Sequence, residues 1–254
     1  MSLAIDLNSD VGESFGRWQL GCDEDAMALI TSANIACGFH ASDPMTMVRT
    51  VRLAKANGVA VGAHPGFHDL AGFGRRAVAA TPDEIKADVI YQIGALMGVC
   101  HSEGVRMRHV KVHGALYNMA ENDISISIAI AEAIGSVDPE LIMVCLAHSK
   151  MVEGAKAAGV KYVQEAFADR AYTREGTLVP RRQPGAVLED IGEIADRVWS
   201  MVESHTVKSI DGVEIPMNPQ TICVHGDTPG AVEMIRAIRR RLEAEGVALK
   251  AFGQ

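Results

Sequence analysis

Several signals that would assign this 254-residue chain to a class are missing from it. No apolar run approaches 18 residues, so no membrane span is expected. No C-x-x-C pair occurs. The five cysteines (Cys22, Cys37, Cys100, Cys145 and Cys223) are odd in number and widely spaced, which excludes a zinc ribbon and a disulfide scaffold. Four of them lie in apolar stretches and read as small buried hydrophobes. Positive charge is not in excess: 24 Lys and Arg stand against 32 Asp and Glu, a net charge of -8. That argues against nucleic acid or an anionic membrane as the main partner. A basic segment followed by an apolar one is absent near the N-terminus, so no signal peptide is expected, and the chain reads as a reduced cytoplasmic protein. There is no G-x-x-x-x-G-K-[ST], hence no P-loop, and no H-E-x-x-H.

What is present is a recurring unit. A helical stretch ends in Gly, then Val, then a short apolar run: ANGVAVGAH from 56, SEGVRMRHVKVH from 102, AAGVKYVQEAF from 157 and AEGVALKAF from 244. Gly just past a helix takes the left-handed conformation at little cost, and a strand after each such Gly gives α-turn-β units. Repetition of the unit builds a mostly parallel sheet covered by helices. Seven strands are predicted, at 3–8, 32–38, 59–63, 108–113, 141–146, 161–167 and 220–225. TPDE, 81 to 84, offers a capping box with Pro at the first helical position, opening a long helix to about Glu103. Asp211-Gly212 between two short β-like runs predicts a hairpin at 207–217, an excursion from the repeat. No linker or low-complexity tract occurs, so 1–254 reads as one domain, within the size of a single α/β barrel.

Polar and ionisable residues gather at the predicted strand ends. They are Asp6, Asn8, Asp10 and Glu13 after the first; His40 and Asp43 after the second; His64, His68, Asp69, Arg75 and Arg76 after the third. Lys111, His113 and Tyr117 follow the fourth, His148 and Lys150 the fifth, Glu165, Asp169, Arg170 and Tyr172 the sixth, and His225 and Asp227 the seventh. A barrel brings every C-terminal strand end to one face, whereas an open sheet brings only a few to one crevice. The ring of functional residue types therefore favours a barrel and an enzyme over a scaffold. Each residue also has a plainer reading. A lone His is usually a core or surface residue, Arg75 and Arg76 can be a solvated loop end, and Asp227 can serve the helix that starts at Thr228-Pro229. His101, His109 and His205 have no assigned role.

Two motifs fail on inspection. Asp6-x-Asn8-x-Asp10 imitates an EF-hand loop, but Val11 stands where Gly is needed and Arg17 where Glu is needed. GESFG, 12 to 16, fits a nucleophile elbow around Ser14, yet no strand runs straight into it. A dispersed metal site remains: Asp10, His40 and His64 follow three adjacent strands and offer carboxylate and imidazole to a divalent metal.

Taken together, DLNSDVGESFG, TSANIACGFHASDP, GAHPGFHDLAGFGRR, VKVHGALYN, EAFADRAY and VHGDTPGAV resemble the LamB/YcsF family, in its order and across roughly residues 4 to 232. The sequence departs from the family's habit at Ser42 (Gly), His68 (Pro) and Val112 (Pro). The resemblance implies a distorted seven-stranded β/α barrel similar to glycoside hydrolases and deacetylases. It implies ATP-dependent cleavage of 5-oxoproline to glutamate, with two further subunits, B and C. On that reading Asp10 and Glu13 are bases or metal ligands, and His40, His64 and His113 are acid–base residues or ligands. Asn8, Arg75, Lys111, Tyr117, Glu165, Arg170, His225 and Asp227 contact substrate. The alternatives are a metal-dependent amidohydrolase or deacetylase acting alone, and a non-catalytic protein that only binds the substrate for its partners.

Overall fold

The computed structural model describes residues 3–224 and 230–253. Each predicted α-turn-β unit is present. Strand β1 (Ala4–Val11) leads through α1 (Asp23–Met27) to β2 (Ser32–Ala36), then α2 (Pro44–Asn57) to β3 (Ala60–His64). Helix α3 (Pro82–Ser102) leads to β4 (Met107–Val110), and α4 (Gly114–Ala120) with α5 (Ile124–Val137) leads to β5 (Ile142–Leu146). Helix α6 (Lys150–Ala157) precedes β6 (Tyr162–Phe167). After α7 (Ile191–Glu203) come the short β7 (Thr206–Lys208) and β8 (Glu214–Pro216), then β9 (Thr221–Cys223), α8 (Ala231–Ala244) and β10 (Ala248–Leu249).

Strands β1 to β6 and β9 pair in parallel, in sequence order, and β9 closes onto β1. The result is a closed seven-stranded parallel barrel. β10 adds in parallel to the start of β1, outside the ring. β7 and β8 form the antiparallel hairpin expected around Asp211-Gly212, with Gly212 at φ 78°. The helices start and stop where local chemistry dictates. Thr81 and Glu84 complete the capping box of α3. The Asp43 side chain accepts from Met45 N and Thr46 N to cap α2, and Gly58 at φ 68° ends that helix.

One boundary differs in a way that matters. The sequence places the end of β1 at residue 8, but the strand runs on to Val11. Side chains alternate across a strand, so Ile5, Leu7 and Val11 pack outward on the helices while Asp6, Asn8 and Asp10 point into the barrel. Glu165 likewise lies within β6 rather than after it. Asp6, Asn8 and Asp10 therefore belong to a polar barrel interior and not to a polar turn. The residues gathered there are drawn from β1, β2, β4, β6 and β9.

Candidate functional site

The lower interior is a continuous hydrogen-bonded network. Asp6 accepts from Thr31 Oγ1 at 2.6 Å, Ser32 Oγ at 2.7 Å and Thr221 Oγ1. Burial outweighs these bonds and pushes its carboxyl up to about 6. Asn8 Nδ2 donates to Glu165 Oε1 at 2.9 Å and to Thr221 Oγ1 at 2.6 Å, and its Oδ1 accepts from Asn34 at 2.8 Å. His109 Nε2 donates to Asn34 Oδ1 at 2.8 Å. Above them Lys111 bridges the barrel. Its ammonium lies 2.9 Å from Glu165 Oε1, 3.1 Å from Asp10 Oδ1 and 3.0 Å from Cys223 Sγ. Burial pulls this ammonium down, but the Asp10, Cys223 and Glu165 side chains pull harder in the other direction and hold it well above its ordinary value. Tyr117 donates to the second Glu165 oxygen at 3.0 Å.

A second group caps that network at the C-terminal ends of β1 to β4. His64 ends β3, His40 stands in the loop after β2, His113 opens α4 and Glu13 follows β1. One ligand atom from each of the four lies within 4.8 Å of those from the others. Glu13 Oε1 is 3.4 Å from His40 Nε2 and 3.7 Å from His113 Nδ1, and His113 Nδ1 is 3.0 Å from His64 Nε2. The His40 and His113 rings stack in parallel with centroids 3.8 Å apart. Burial, then the neighbouring imidazole of His113, holds His40 well below its ordinary value. Burial, then His64, lowers His113 to about 3. Both rings therefore favour the neutral form, which keeps a ring lone pair available to a metal. The cluster can hold a divalent metal. The set gathered here differs from the expected trio of Asp10, His40 and His64: Glu13 and His113 join the two histidines. Asp10 approaches through its Oδ2, 3.3 Å from His64 Nε2, while its Oδ1 is taken by Lys111 and Asn34.

The loop 66–76 folds down on this cluster. His113 Nε2 donates to Phe73 O at 2.8 Å and Ala115 N to Gly74 O at 2.9 Å. Two glycines permit the approach. A Cβ on Gly74 would sit 2.7 Å from His40 Cβ, one on Gly114 would sit 2.6 Å from Gly74 O, and both residues have positive φ. The expectation of an Arg clamp from this loop divides. Arg76 is paired with Asp69, which also accepts from Gly72 N, so Arg76 ties the loop to itself. Arg75 is exposed, lies over the Phe73 ring and lines the cavity above the cluster.

That cavity, about 540 Å³, has Asp10, Glu13, His64, Lys111 and His113 at its floor and Tyr117 and Phe167 on its wall. Its rim carries Arg75, Arg170, Arg181 and Arg182. Arg170 is 5% exposed and donates to Val179 O at 2.7 Å, while its Nε has no hydrogen-bond partner among the described residues. Arg181 and Arg182 follow no strand end directly and are not among the predicted site residues; their signal is an Arg pair in the turn-rich stretch VPRRQPG.

The other predicted site residues take varied places. Lys111, expected to bind substrate anions, is already engaged by two carboxylates. Asn8 and Glu165 lie below the floor, 1% and 0% exposed, where they brace Lys111 and Tyr117. His68 is exposed and stacks on Phe39, and His148 faces Pro216 O, so neither joins the cluster. Asp43, beyond capping α2, accepts from Gly16 N, which more than its other bonds holds its carboxyl down at about 2. Ser42 has φ 75°, a left-handed conformation that Gly adopts at less cost. His225 and Asp227 lie outside the described residues. Among the described residues no helix is long and apolar enough to cross a membrane.

The profile of the LamB/YcsF family matches residues 5–254. The chain is 54% identical over 251 residues to the A subunit of the 5-oxoprolinase of Pyrococcus furiosus, covering 99% of this chain and 98% of that one. It is 49% identical to that of Bordetella pertussis, covering 99% and 100%. Its fold superposes with a TM-score of 0.95 on the crystal structure of a lactam utilization protein from Thermus thermophilus, at 48% identity and with 98% and 100% coverage.

Proposed function

The chain belongs to the LamB/YcsF family, and we propose that it is the lactam-opening component of an ATP-dependent 5-oxoprolinase, working in the cytoplasm with subunits B and C. The observation that carries this reading is the cavity itself. Four arginines line the same cavity as carboxylates and imidazoles, which suits a small substrate bearing a carboxylate and an amide. The names of relatives about half identical over their full length support the same substrate.

A lactam carbonyl is a poor electrophile. Transfer of the γ-phosphoryl group of ATP to its oxygen makes the ring carbon more electrophilic. Water adds at that carbon, losing a proton to a base. The carbon–nitrogen bond then breaks as the nitrogen gains a proton, and a second water hydrolyses the resulting acyl phosphate to glutamate and phosphate. The chemistry needs a base near the ring carbon, a proton relay and cationic clamps. Asp10 and Glu13 act as bases in this reading, and His64, beside Asp10, and His113, beside Glu13, meet each other to form the proton relay between them. Arg170 and Arg75 bind carboxylate or phosphate from the rim. Lys111 fixes Asp10 in place through its Oδ1 and leaves Oδ2 facing His64. The nucleotide is handled by a non-P-loop site here or by the partner subunits.

The Glu13, His40, His64 and His113 cluster favours a second reading, a metal-dependent amidohydrolase that needs neither ATP nor partners. Measurement of glutamate and ADP from 5-oxoproline and ATP, with this chain alone, B and C alone, and all three together, separates them. Under the proposed reaction, glutamate is expected only from the complete mixture. Glutamate from this chain without ATP, or from B and C without this chain, overturns it.

A further inference from the structure

The three clustered histidines present their ring nitrogens in a defined way. His64 Nδ1 lies 2.6 Å from the Lys111 carbonyl oxygen, and His113 Nε2 lies 2.8 Å from the Phe73 carbonyl oxygen. A carbonyl only accepts, so both of these nitrogens carry the ring hydrogen. The other nitrogens, His64 Nε2 and His113 Nδ1, are then bare lone pairs, and they face each other at 3.0 Å. Two acceptors at that distance repel unless a cation lies between or beside them. His40 adds a third such group. It is 0% exposed, and neither of its ring nitrogens has a hydrogen-bond partner among the described residues, although Nε2 faces the Glu13 carboxylate at 3.4 Å.

We infer that Glu13, His40 Nε2, His64 Nε2 and His113 Nδ1 form a binding site for one divalent transition metal of the zinc class. Four ligands at the usual ~2.1 Å from zinc stand about 3.4 Å from one another in a tetrahedron. Three of the separations, 3.0, 3.4 and 3.7 Å, bracket that value and no pair of the four ligand atoms exceeds 4.8 Å, so side-chain shifts draw the group into a tetrahedron. The carbonyl partners of His64 and His113 are also what metal-bound imidazoles require, since a ligating His characteristically donates its other N–H to a fixed acceptor. Backbone elements set these acceptors: Phe73 O is brought in by the Gly74–Gly114 approach and Lys111 O by the end of β4. Asp10 Oδ2, 3.3 Å from His64 Nε2, stands beside the metal position as a neighbouring base or an added ligand. The metal site shares its floor with the proposed reaction, but its case rests on the imidazole geometry and not on that reading.

Metal-stripped full-length chain, free of any polyhistidine tag, is titrated with Zn2+ in competition with a chromophoric chelator, and its thermal midpoint is followed in parallel. The wild type is expected to take up one Zn2+ per chain and to gain about 5 °C at saturating metal. His64→Asn and His113→Asn are expected to weaken binding by about 100-fold or more, while His148→Asn, on an exposed residue, leaves it unchanged. Should a variant fail to fold, the Co2+ form of the wild type is read instead, where four-coordinate N and O ligation gives intense visible d–d bands. Absence of uptake by the wild type at tenfold excess Zn2+ overturns the inference and leaves a shared proton between His64 and His113 as the bridging cation. Binding unaltered in folded His64→Asn and His113→Asn overturns it as well. Neither readout uses 5-oxoproline or ATP, so the metal site and the proposed reaction fail separately.

Discussion

The interior of the barrel and its mouth are both crowded with buried polar side chains, yet they treat hydrogen bonding differently. In the interior, Asp6, Asn8, Asn34, Lys111 and Glu165 each meet complementary partners across strands β1, β2, β6 and β9. At the mouth, His40, His64 and His113 turn lone pairs toward one another and toward Glu13. A closed network of this kind rigidifies a fold, whereas buried groups that need a proton, metal or substrate to complete them mark a place where something binds. Lys111 is the hinge between the two. It balances Glu165 below and presents Asp10 above.

The comparison breaks most severely at that lysine. Lys111→Met leaves the buried Glu165 and the partly buried Asp10 without their cation, and the expected cost is about 3–5 kcal/mol, read as a fall of about 10 °C in thermal midpoint. A change near zero would mean that the interior network does not depend on this charge. Asp10→Asn is the matching test at the mouth. It keeps an oxygen toward Lys111 and Asn34, so the fold is expected to persist while ATP-dependent glutamate formation in the three-subunit mixture falls by about 100-fold or more. Retained turnover would remove Asp10 from the chemistry.

Protons sharpen the same contrast. Burial, reinforced by Lys111 and His64, lowers His109 to about 3, so the folded chain refuses a proton that the unfolded chain binds below about 6.5. The stability from this residue is complete above pH 6.5 and is lost as pH falls toward 3. Asp6, raised to about 6, acts in the opposite sense over the window between its unfolded value near 3.9 and 6. His109→Gln retains a donor for Asn34 and removes the titration. Between pH 7 and pH 5 the wild type is expected to lose about 2 kcal/mol more than this variant, measured from urea midpoints of metal-stripped protein. Parallel loss in both would show that His109 does not titrate in this way.

The smallest expected effect lies outside both regions. Ser42→Gly relieves a left-handed backbone and should raise the thermal midpoint by about 1–4 °C without altering turnover. A fall would show that the Ser42 hydroxyl contributes more than the backbone costs.

Local chemistry makes much of this fold legible. The Gly-Val punctuation, the capping box at Thr81 and the Asp211-Gly212 turn act within a few residues, and each occurs where the sequence places it. The end of β1 is hard to place because Asp6, Asn8 and Asp10 break the usual rule that an inward-facing strand face is apolar. Their alternation is present in the sequence, but it points into a polar interior. The cluster residues Glu13, His40, His64 and His113 are identifiable as strand-end groups. Which of them converge is not legible, nor is the neutralisation of Lys111 by residues far along the chain, because those contacts arise only when the barrel closes. The rim arginines Arg181 and Arg182 come from a loop between β6 and α7 whose path no periodicity encodes.

Glu13 is the residue on which both the chemistry and the metal site depend, 8% accessible and set against both His40 and His113. Glutamate formation by wild type and Glu13→Gln, each mixed with subunits B and C at matched folded concentration, tests the central claim most directly. The expected result is a loss of about 100-fold or more with a nearly unchanged thermal midpoint. Full turnover by a folded Glu13→Gln chain would contradict the assignment of the barrel mouth as the place where the lactam is opened.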